Sequence, residues 1–424
     1  MKNRLRLSFL FIELRYCFYG VVSKTIQMKI QLQNLSYYPE IGGVETHIQY
    51  SAEYFTKYCD ITSILCAKHL PTLAFEEIIN GVKVIRHPDY RLPAPFSVLN
   101  PMYHVKKVKS YLKNNLPDVD VIWAGHIYYA LASKQALPEI PIIFFQSTLY
   151  EVLLRHNYKN LSPLEKVGFK LWNFQNKLIE KNVLSNMNAI VTLSQMRKRE
   201  TIDYYNKCQI NKIFVIPPGV DIEKFKPRPK EMQLMEEFRL PHESKVILTA
   251  CRLSPEKNLK ILIRAFSMIP DDKTYLIIVG DGVERPGLEK LANSLNVMHK
   301  IRFAGYRTDI ERFYSIADVF VLPSIYEGYG LVYLEAMASG VPCIGLKSDY
   351  PNIIVATDEI IQEGVTGYCV DPYSIIDLTE KICAILFDSE LKYNMSLYAR
   401  NLCVSNYTWD QHILQMKEII KGII

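Results

Sequence analysis

The feature that most constrains this chain is a double alternation of short apolar runs with amphipathic, charged stretches, interrupted once. The runs MKIQLQNLS (28–36), ITSILCA (61–67), VKVIRH (82–87), VDVIWAG (119–125), PIIFFQS (141–147), MNAIVTLS (187–194) and KIFVIPPG (212–219) are rich in β-branched and aromatic residues. Stretches such as 44–58, 103–116 and 162–184 carry helical periodicity between them. Short buried strands separated by helices build a mostly parallel sheet covered on both faces. The proline-rich, charged KFKPRPKEMQ (224–233) breaks the pattern. It restarts with KVILTACRL (245–253), TYLIIVGDG (274–282), KIRFAG (300–305), VFVLPS (319–324) and VPCIGLK (341–347). The expected fold class is therefore α/β, with two facing Rossmann-like, doubly wound domains and a cleft between the carboxyl ends of their strands. A chain of 424 residues suits two cores better than one. The expected divisions are an N-terminal extension (1–27), a first domain (28–222), a second domain (223–404), and a last helical stretch (405–424) crossing back to the first. Residues 1–27 read as a start upstream of the natural Met28, or as a membrane-contacting arm.

Charge and cysteines narrow the setting. Residues 1–220 hold 27 Lys and Arg against 16 Asp and Glu, whereas residues 221–424 hold 23 against 28. The first half thus attracts anionic partners and the second does not. The stretches 103–116 and 162–184 mix lysines with aromatics, as interfacial helices do, so contact with an anionic membrane is an expectation alongside a plainly solvated basic face. Nine cysteines without a CxxC pair fit neither a zinc ribbon nor a disulfide framework, and point to reduced thiols in the cytoplasm. The apolar stretch after MKNRLR has the outline of a signal peptide, but Glu13 and Arg15 interrupt it and no small-residue cleavage site follows.

Four segments carry chemistry. EGYGLVYLEAMASG (327–340) follows a strand, turns at Gly328 and Gly330, and continues as a helix. Backbone N–H groups of Gly328, Tyr329, Gly330, Leu331 and Val332 then face the cleft with the positive end of the helix dipole, a place for hydroxyls or phosphate oxygens. Glu327 and Glu335 flank that turn, and carboxylates accept well from paired sugar hydroxyls; taken alone, the pair is equally a surface and a helix-face glutamate. In CRLSPEKN (251–258), Arg252 and Lys257 place a planar fork and an ammonium on a strand-to-helix loop, which suits a diphosphate. In EIGGVETH (40–47), Gly42 and Gly43 let backbone approach a ligand closely. Gly280 and Gly282 of IIVGDG read as a turn lining the same pocket; the third glycine of a dinucleotide fingerprint is absent.

These segments, with AGHIYYA (124–130), FVIPPGVDIEKF (214–225), FAGYRTDIERFYSIADVFVLPS (303–324) and DEIIQEGVTGYCVDP (358–372), resemble in order the landmarks of glycosyltransferase family 4. The resemblance runs from Met28 over nearly the whole chain and implies the two-domain GT-B architecture. It implies a retaining, metal-independent transfer of a hexose from a UDP- or GDP-sugar to a glycan or lipid-linked hydroxyl, in polysaccharide or glycolipid synthesis. No cofactor is implied beyond the donor, and no nucleic acid. By the resemblance, Arg252 and Lys257 bind the donor phosphates, Glu327 the sugar hydroxyls and Glu335 the ribose. His126 sits beside the donor sugar, Gly42 and Gly43 lie over the diphosphate, and Tyr306 flanks the base. Cys251 stands where the family usually has glycine. The stretch LKSDYPNIIVATDEII (346–361) is longer than the family's loop there, which leaves donor contacts from that region, Glu359 included, open. A sugar-nucleotide epimerase and a catalytically silent binding protein on the same architecture are the alternatives.

Overall fold

The computed structural model describes residues 28–40, 42–58, 61–93, 96–115, 117–147, 149, 163–205 and 210–424. The extension 1–27, and whatever arm it forms, lies outside them. Two sheets organise the described chain. The first comprises β1 (Lys29–Gln33), β2 (Ile61–Lys68), β3 (Glu76–Ile79), β4 (Val82–Pro88), β5 (Val121–Ala124), β6 (Ile142–Gln146), β7 (Ala189–Thr192) and β8 (Ile213–Val215), in spatial order β3-β4-β2-β1-β5-β6-β7-β8. Its strands are parallel except β3, which turns back against β4 through Asn80 and Gly81. The second comprises β9 (Lys245–Ala250), β10 (Thr274–Val279), β11 (Ile301–Gly305), β12 (Val319–Leu322), β13 (Cys343–Leu346) and β14 (Gly367–Val370), all parallel, in order β11-β10-β9-β12-β13-β14. The apolar runs do not announce β3 or β14. EEII is charged and lies at an edge, and GYCV is only four residues long.

In each sheet the chain builds outward one way, then returns to build the other way. The reversal falls between β1 and β5 in the first sheet and between β9 and β12 in the second. The connections leaving those paired strands run in opposite directions and open a crevice.

Helices cover both sheets. In the first domain they are α1 (Gly43–Lys57), α2 (Asn100–Asn114), α3 (Ile127–Ala136), α4 (Pro163–Asn186) and α5 (Gln195–Tyr204). The rest are α6 (Met232–Glu237), α7 (Leu259–Ser267), α8 (Arg285–Ser294), α9 (Ile310–Ile316), α10 (Leu331–Ala338), α11 (Thr357–Ile360), α12 (Ile375–Phe387), α13 (Ser389–Asn406) and α14 (Trp409–Ile423). Residues three and four apart on α1 (His47, Ile48, Ser51, Ala52, Phe55) are buried, the spacing that one buried stripe of a helix requires.

One apolar core is continuous through both domains, from Ile30, Trp123 and Phe145 to Leu248, Phe320 and Leu334, and includes Ile413 and Met416 of α14. Helix α14 starts with a capping box between Thr408 and Gln411. Its Trp409 stacks on Tyr50 of α1 at 5.1 Å between ring centres, and its His412 Nδ1 lies 2.7 Å from the Pro217 carbonyl oxygen. The last helix of the chain is thereby fixed to the first helix of the first domain. No helix among the described residues is long and apolar enough to cross a membrane.

Candidate active site

The two reversal points hold the residues singled out by their chemistry. At the first, Gly42 begins α1 with no side-chain cap; a Cβ on Gly43 would meet nothing within 4 Å, whereas one on Gly42 would stand 2.5 Å from the Glu45 carboxylate. After β5, His126 caps α3, its Nδ1 accepting from the Tyr128 backbone N–H at 3.2 Å. That bond places the ring proton on Nε2. Burial pushes the His126 imidazole down to about 3, so it is neutral at any physiological pH. A cavity of about 240 Å³ lies between these two connections, lined by Asn34, Ser36, Glu45, His126 and Ser147 among others.

At the second reversal point, Lys257 follows β9 on a short turn and Glu327 follows β12. The Lys257 ammonium sits 2.5 Å from Glu327 Oε2, with the two side chains 14% and 18% exposed. The hydroxyl of Ser324 lies 3.4 Å from the same oxygen. Gly330 has φ +94, where a side chain would be strained, and a Cβ there would approach Tyr333 Cδ2 to 2.7 Å. Helix α10 therefore starts abruptly at Leu331 without a side-chain cap. One turn in, Glu335 Oε2 lies 3.1 Å from the Tyr314 hydroxyl. Burial raises the Glu335 carboxyl to about 7, against the smaller opposing effects of the Tyr314 hydrogen bond and Lys224. A cavity of about 20 Å³, which Glu335 shares with Thr46 and Tyr50 of α1, has room for little more than a water.

Other candidates are placed differently. Arg252 is 74% exposed and pairs at 3.4 Å with Glu256, not with Glu327. Gly280 and Gly282 are held against the loop that carries Arg252. Cβ atoms there would stand 1.9 Å from the Cys251 carbonyl oxygen and 2.4 Å from that of Leu253. They are glycines because two backbone segments touch, and that contact fixes the loop carrying Arg252. The side chain of Tyr329 is buried against Tyr407, so this residue can offer the cleft only backbone. Tyr306 is exposed at the end of the edge strand β11. Glu359 belongs to the interdomain contact. Its two oxygens accept from the backbone N–H groups of Gln195 and Met196 at 2.7 and 2.8 Å, capping α5 of the first domain.

The residue that the sequence reading misses is Arg197, on α5. It is buried and paired with Glu200. It donates to the Tyr326 hydroxyl at 2.6 Å and to the Glu327 carbonyl at 2.8 Å, reaches the Gly328 carbonyl at 3.4 Å, and lies 4.2 Å over the Tyr326 ring. A first-domain guanidinium thus holds the backbone on which Glu327 is mounted. In SQMRKRE nothing distinguishes Arg197 from Lys198 or Arg199. The one legible hint is its three-residue spacing from Glu200 behind the Ser194 cap.

Comparison with known proteins identifies the family. The profile described as Glycosyltransferase Family 4 matches residues 41–224, and that described as Glycosyl transferases group 1 matches residues 231–402. The chain belongs to glycosyltransferase family 4. It is 24% identical over 404 residues to an uncharacterised glycosyltransferase of Methanocaldococcus jannaschii, covering 92% of this chain and 97% of that one. It is 30% identical over 219 residues to the GDP-mannose-dependent α-(1-6)-phosphatidylinositol monomannoside mannosyltransferase of Mycobacterium tuberculosis, an alignment spanning about half of each, 49% and 55%. The solved sucrose-phosphate synthase of Thermosynechococcus elongatus superposes with a TM-score of 0.75 at 20% identity, over 94% of this chain and 99% of that one. This glycosyltransferase therefore has the GT-B fold, and its two sheets are the two Rossmann-like domains of that architecture.

Proposed function

We propose that this glycosyltransferase moves a hexose from a nucleoside-diphosphate sugar to a hydroxyl of a glycan or lipid-linked acceptor, with retention at the anomeric carbon. The observation that carries the reading is the meeting of Lys257, Glu327 and the uncapped start of α10 at one reversal point, facing His126 and the Gly42–Gly43 turn at the other. In this reading the diphosphate lies between the two glycine turns, and Lys257 turns from Glu327 to its oxygens. Glu327, released, accepts from sugar hydroxyls. Neutral His126 donates from Nε2 to a sugar oxygen and supplies no acid proton. Glu335 receives the two ribose hydroxyls.

The bond from the anomeric carbon to the diphosphate oxygen breaks, and the bond to the acceptor oxygen forms on the same face. The acceptor proton passes to an oxygen of the departing diphosphate. Charge developing on that leaving group is met by Lys257, by Arg252 swung in from solvent, and by fixed N–H groups. This route needs neither a metal nor a further cofactor. The Glu335 cavity is far smaller than a ribose, so the donor enters with the domains apart, and Arg197 regains the Glu327 and Gly328 carbonyls on closing. The mycobacterial relative's dependence on GDP-mannose puts that donor on the same footing as a UDP-hexose.

Incubation with UDP- and GDP-sugars in turn, with release of nucleoside diphosphate as the readout, tests the proposal. One donor is expected to be turned over, and the rate to fall about a hundredfold or more in Lys257→Ala and Glu327→Ala. Unaltered turnover in both variants sinks the site. Conversion of the donor to its epimer without release of diphosphate makes the chain an epimerase instead.

A further inference from the structure

Helix α4 is apolar on two opposite faces. Its inner face, with Ile179, Val183 and Leu184, packs into the core of the first domain. Its outer face repeats apolar residues at the spacing of successive turns: Val167 is 65% exposed, Leu171 45%, Phe174 59% and Leu178 45%. A solvated helix face is normally polar at such positions. The stripe does not end with the helix. The Gln175 side-chain amide donates to the Val98 carbonyl at 2.8 Å, which fixes the short turn Phe96–Leu99 beside it. Phe96, Leu99 and Met102 of that turn and of α2 are also about half exposed.

Lysines flank this patch. Helix α4 carries Lys166, Lys170, Lys177 and Lys181, and α2 carries Lys106, Lys107, Lys109 and Lys113, with no acidic residue on α2. Of the two glutamates on α4, Glu180 is buried and accepts from the Tyr205 hydroxyl at 2.8 Å. Apolar side chains beside a row of ammonium groups have one complementary partner, a surface that is oily inside and anionic at its rim. A second copy would bring like charges together, and a nucleic acid would leave the apolar stripe in water.

We propose that the outer face of α4, with the turn Phe96–Leu99 and the start of α2, docks on an anionic phospholipid bilayer. Phe174, Leu171 and Val167 enter the acyl boundary and the lysines meet lipid phosphates. On its other side the same helix is tied to α3. Asn176 Oδ1 accepts from the Tyr128 hydroxyl at 2.8 Å, on the helix that His126 caps. Docking here holds the first-domain wall of the cleft close to a membrane-borne acceptor. The inference is independent of which sugar is transferred.

The test is co-sedimentation of the full chain with phosphatidylcholine vesicles, with and without phosphatidylglycerol, at low and high salt. The protein is expected to bind the phosphatidylglycerol vesicles and to be released by salt. Leu171→Ser and Phe174→Ser are each expected to weaken the partition about tenfold or more, and Lys170→Glu with Lys177→Glu to remove most of its salt dependence. The unfolding temperature and its rise with nucleoside diphosphate are expected to stay as in the unsubstituted protein, which separates loss of docking from loss of folding or of the donor site. Three results overturn the proposal: no binding to phosphatidylglycerol vesicles at low salt, equal binding by the serine variants, or a self-associated protein that Phe174→Ser converts to monomer.

Discussion

Glu335 carries a carboxyl that the fold leaves in a poor place for a charge, and Glu335→Gln removes the charge while keeping the shape. In the unfolded chain this group loses its proton near its ordinary value of 4.5; in the native protein it keeps the proton to about 7. Across that interval the native state binds more protons than the unfolded one, so native stability falls as pH rises from 4.5 to about 7 and stays lower above it. At about 1.4 kcal/mol per pH unit, the loss comes to about 3 kcal/mol at pH 8 and nothing at pH 4. Glutamine does not titrate, and its amide oxygen still accepts from Tyr314. The ligand-free variant is therefore expected to match the unsubstituted protein near pH 4 and to exceed it by about 3 kcal/mol at pH 8. Urea unfolding at the two pH values, followed by circular dichroism, measures this directly. The same variant is expected to lose nucleotide affinity, because in the proposed site the ribose hydroxyls stabilise the ionised carboxylate. Binding to the unsubstituted protein should correspondingly release a proton below pH 7. A variant no more stable than the parent at pH 8 refutes the reasoning.

Other outcomes follow from the same geometry. Arg197→Lys keeps the charge and loses the fork, and is expected to lower kcat for diphosphate release more than it raises KM, by about ten- to a hundredfold. Arg197→Ala strands the buried Glu200 carboxylate and is expected to cost about 3–5 kcal/mol in urea unfolding. Gly330→Ala forces a side chain into a left-handed conformation against Tyr333; a loss of about 1–2 kcal/mol is expected, together with loss of donor turnover. His412 is held by burial at about 4, well below its ordinary 6.5, so the native state loses stability as pH falls through that window. His412→Gln is expected to move the acid limb of a stability–pH profile downward.

Much of the fold is written in local pattern. The apolar runs are strands because each is short, β-branched and flanked by turn residues, and buried parallel strands need little else. β3 escapes that logic because an edge strand can be charged, and only its Asn80–Gly81 turn betrays it. At the site, Lys257, Glu327, Gly330 and Glu335 are legible since strand-to-helix connections at a reversal point advertise themselves by glycine and charge. Gly280 and Gly282 show the converse. The same glycine signal marks a backbone packed on backbone, which spacing alone cannot distinguish from a ligand wall. Arg197, and the interdomain role of Glu359, are illegible for a different reason. Their partners are backbone carbonyls and N–H groups more than a hundred residues away, and backbone leaves no mark on composition.

The central claim is that Lys257, Glu327 and Glu335 form one nucleotide-sugar site with divided labour. Calorimetric titration of the donor and of its bare nucleoside diphosphate, into the unsubstituted protein and Glu327→Gln, tests it most directly. Glu327→Gln is expected to bind the nucleoside diphosphate as the parent does and to lose only the extra affinity contributed by the sugar. If that extra affinity survives the substitution, or if no nucleoside diphosphate binds the parent protein, the account is contradicted.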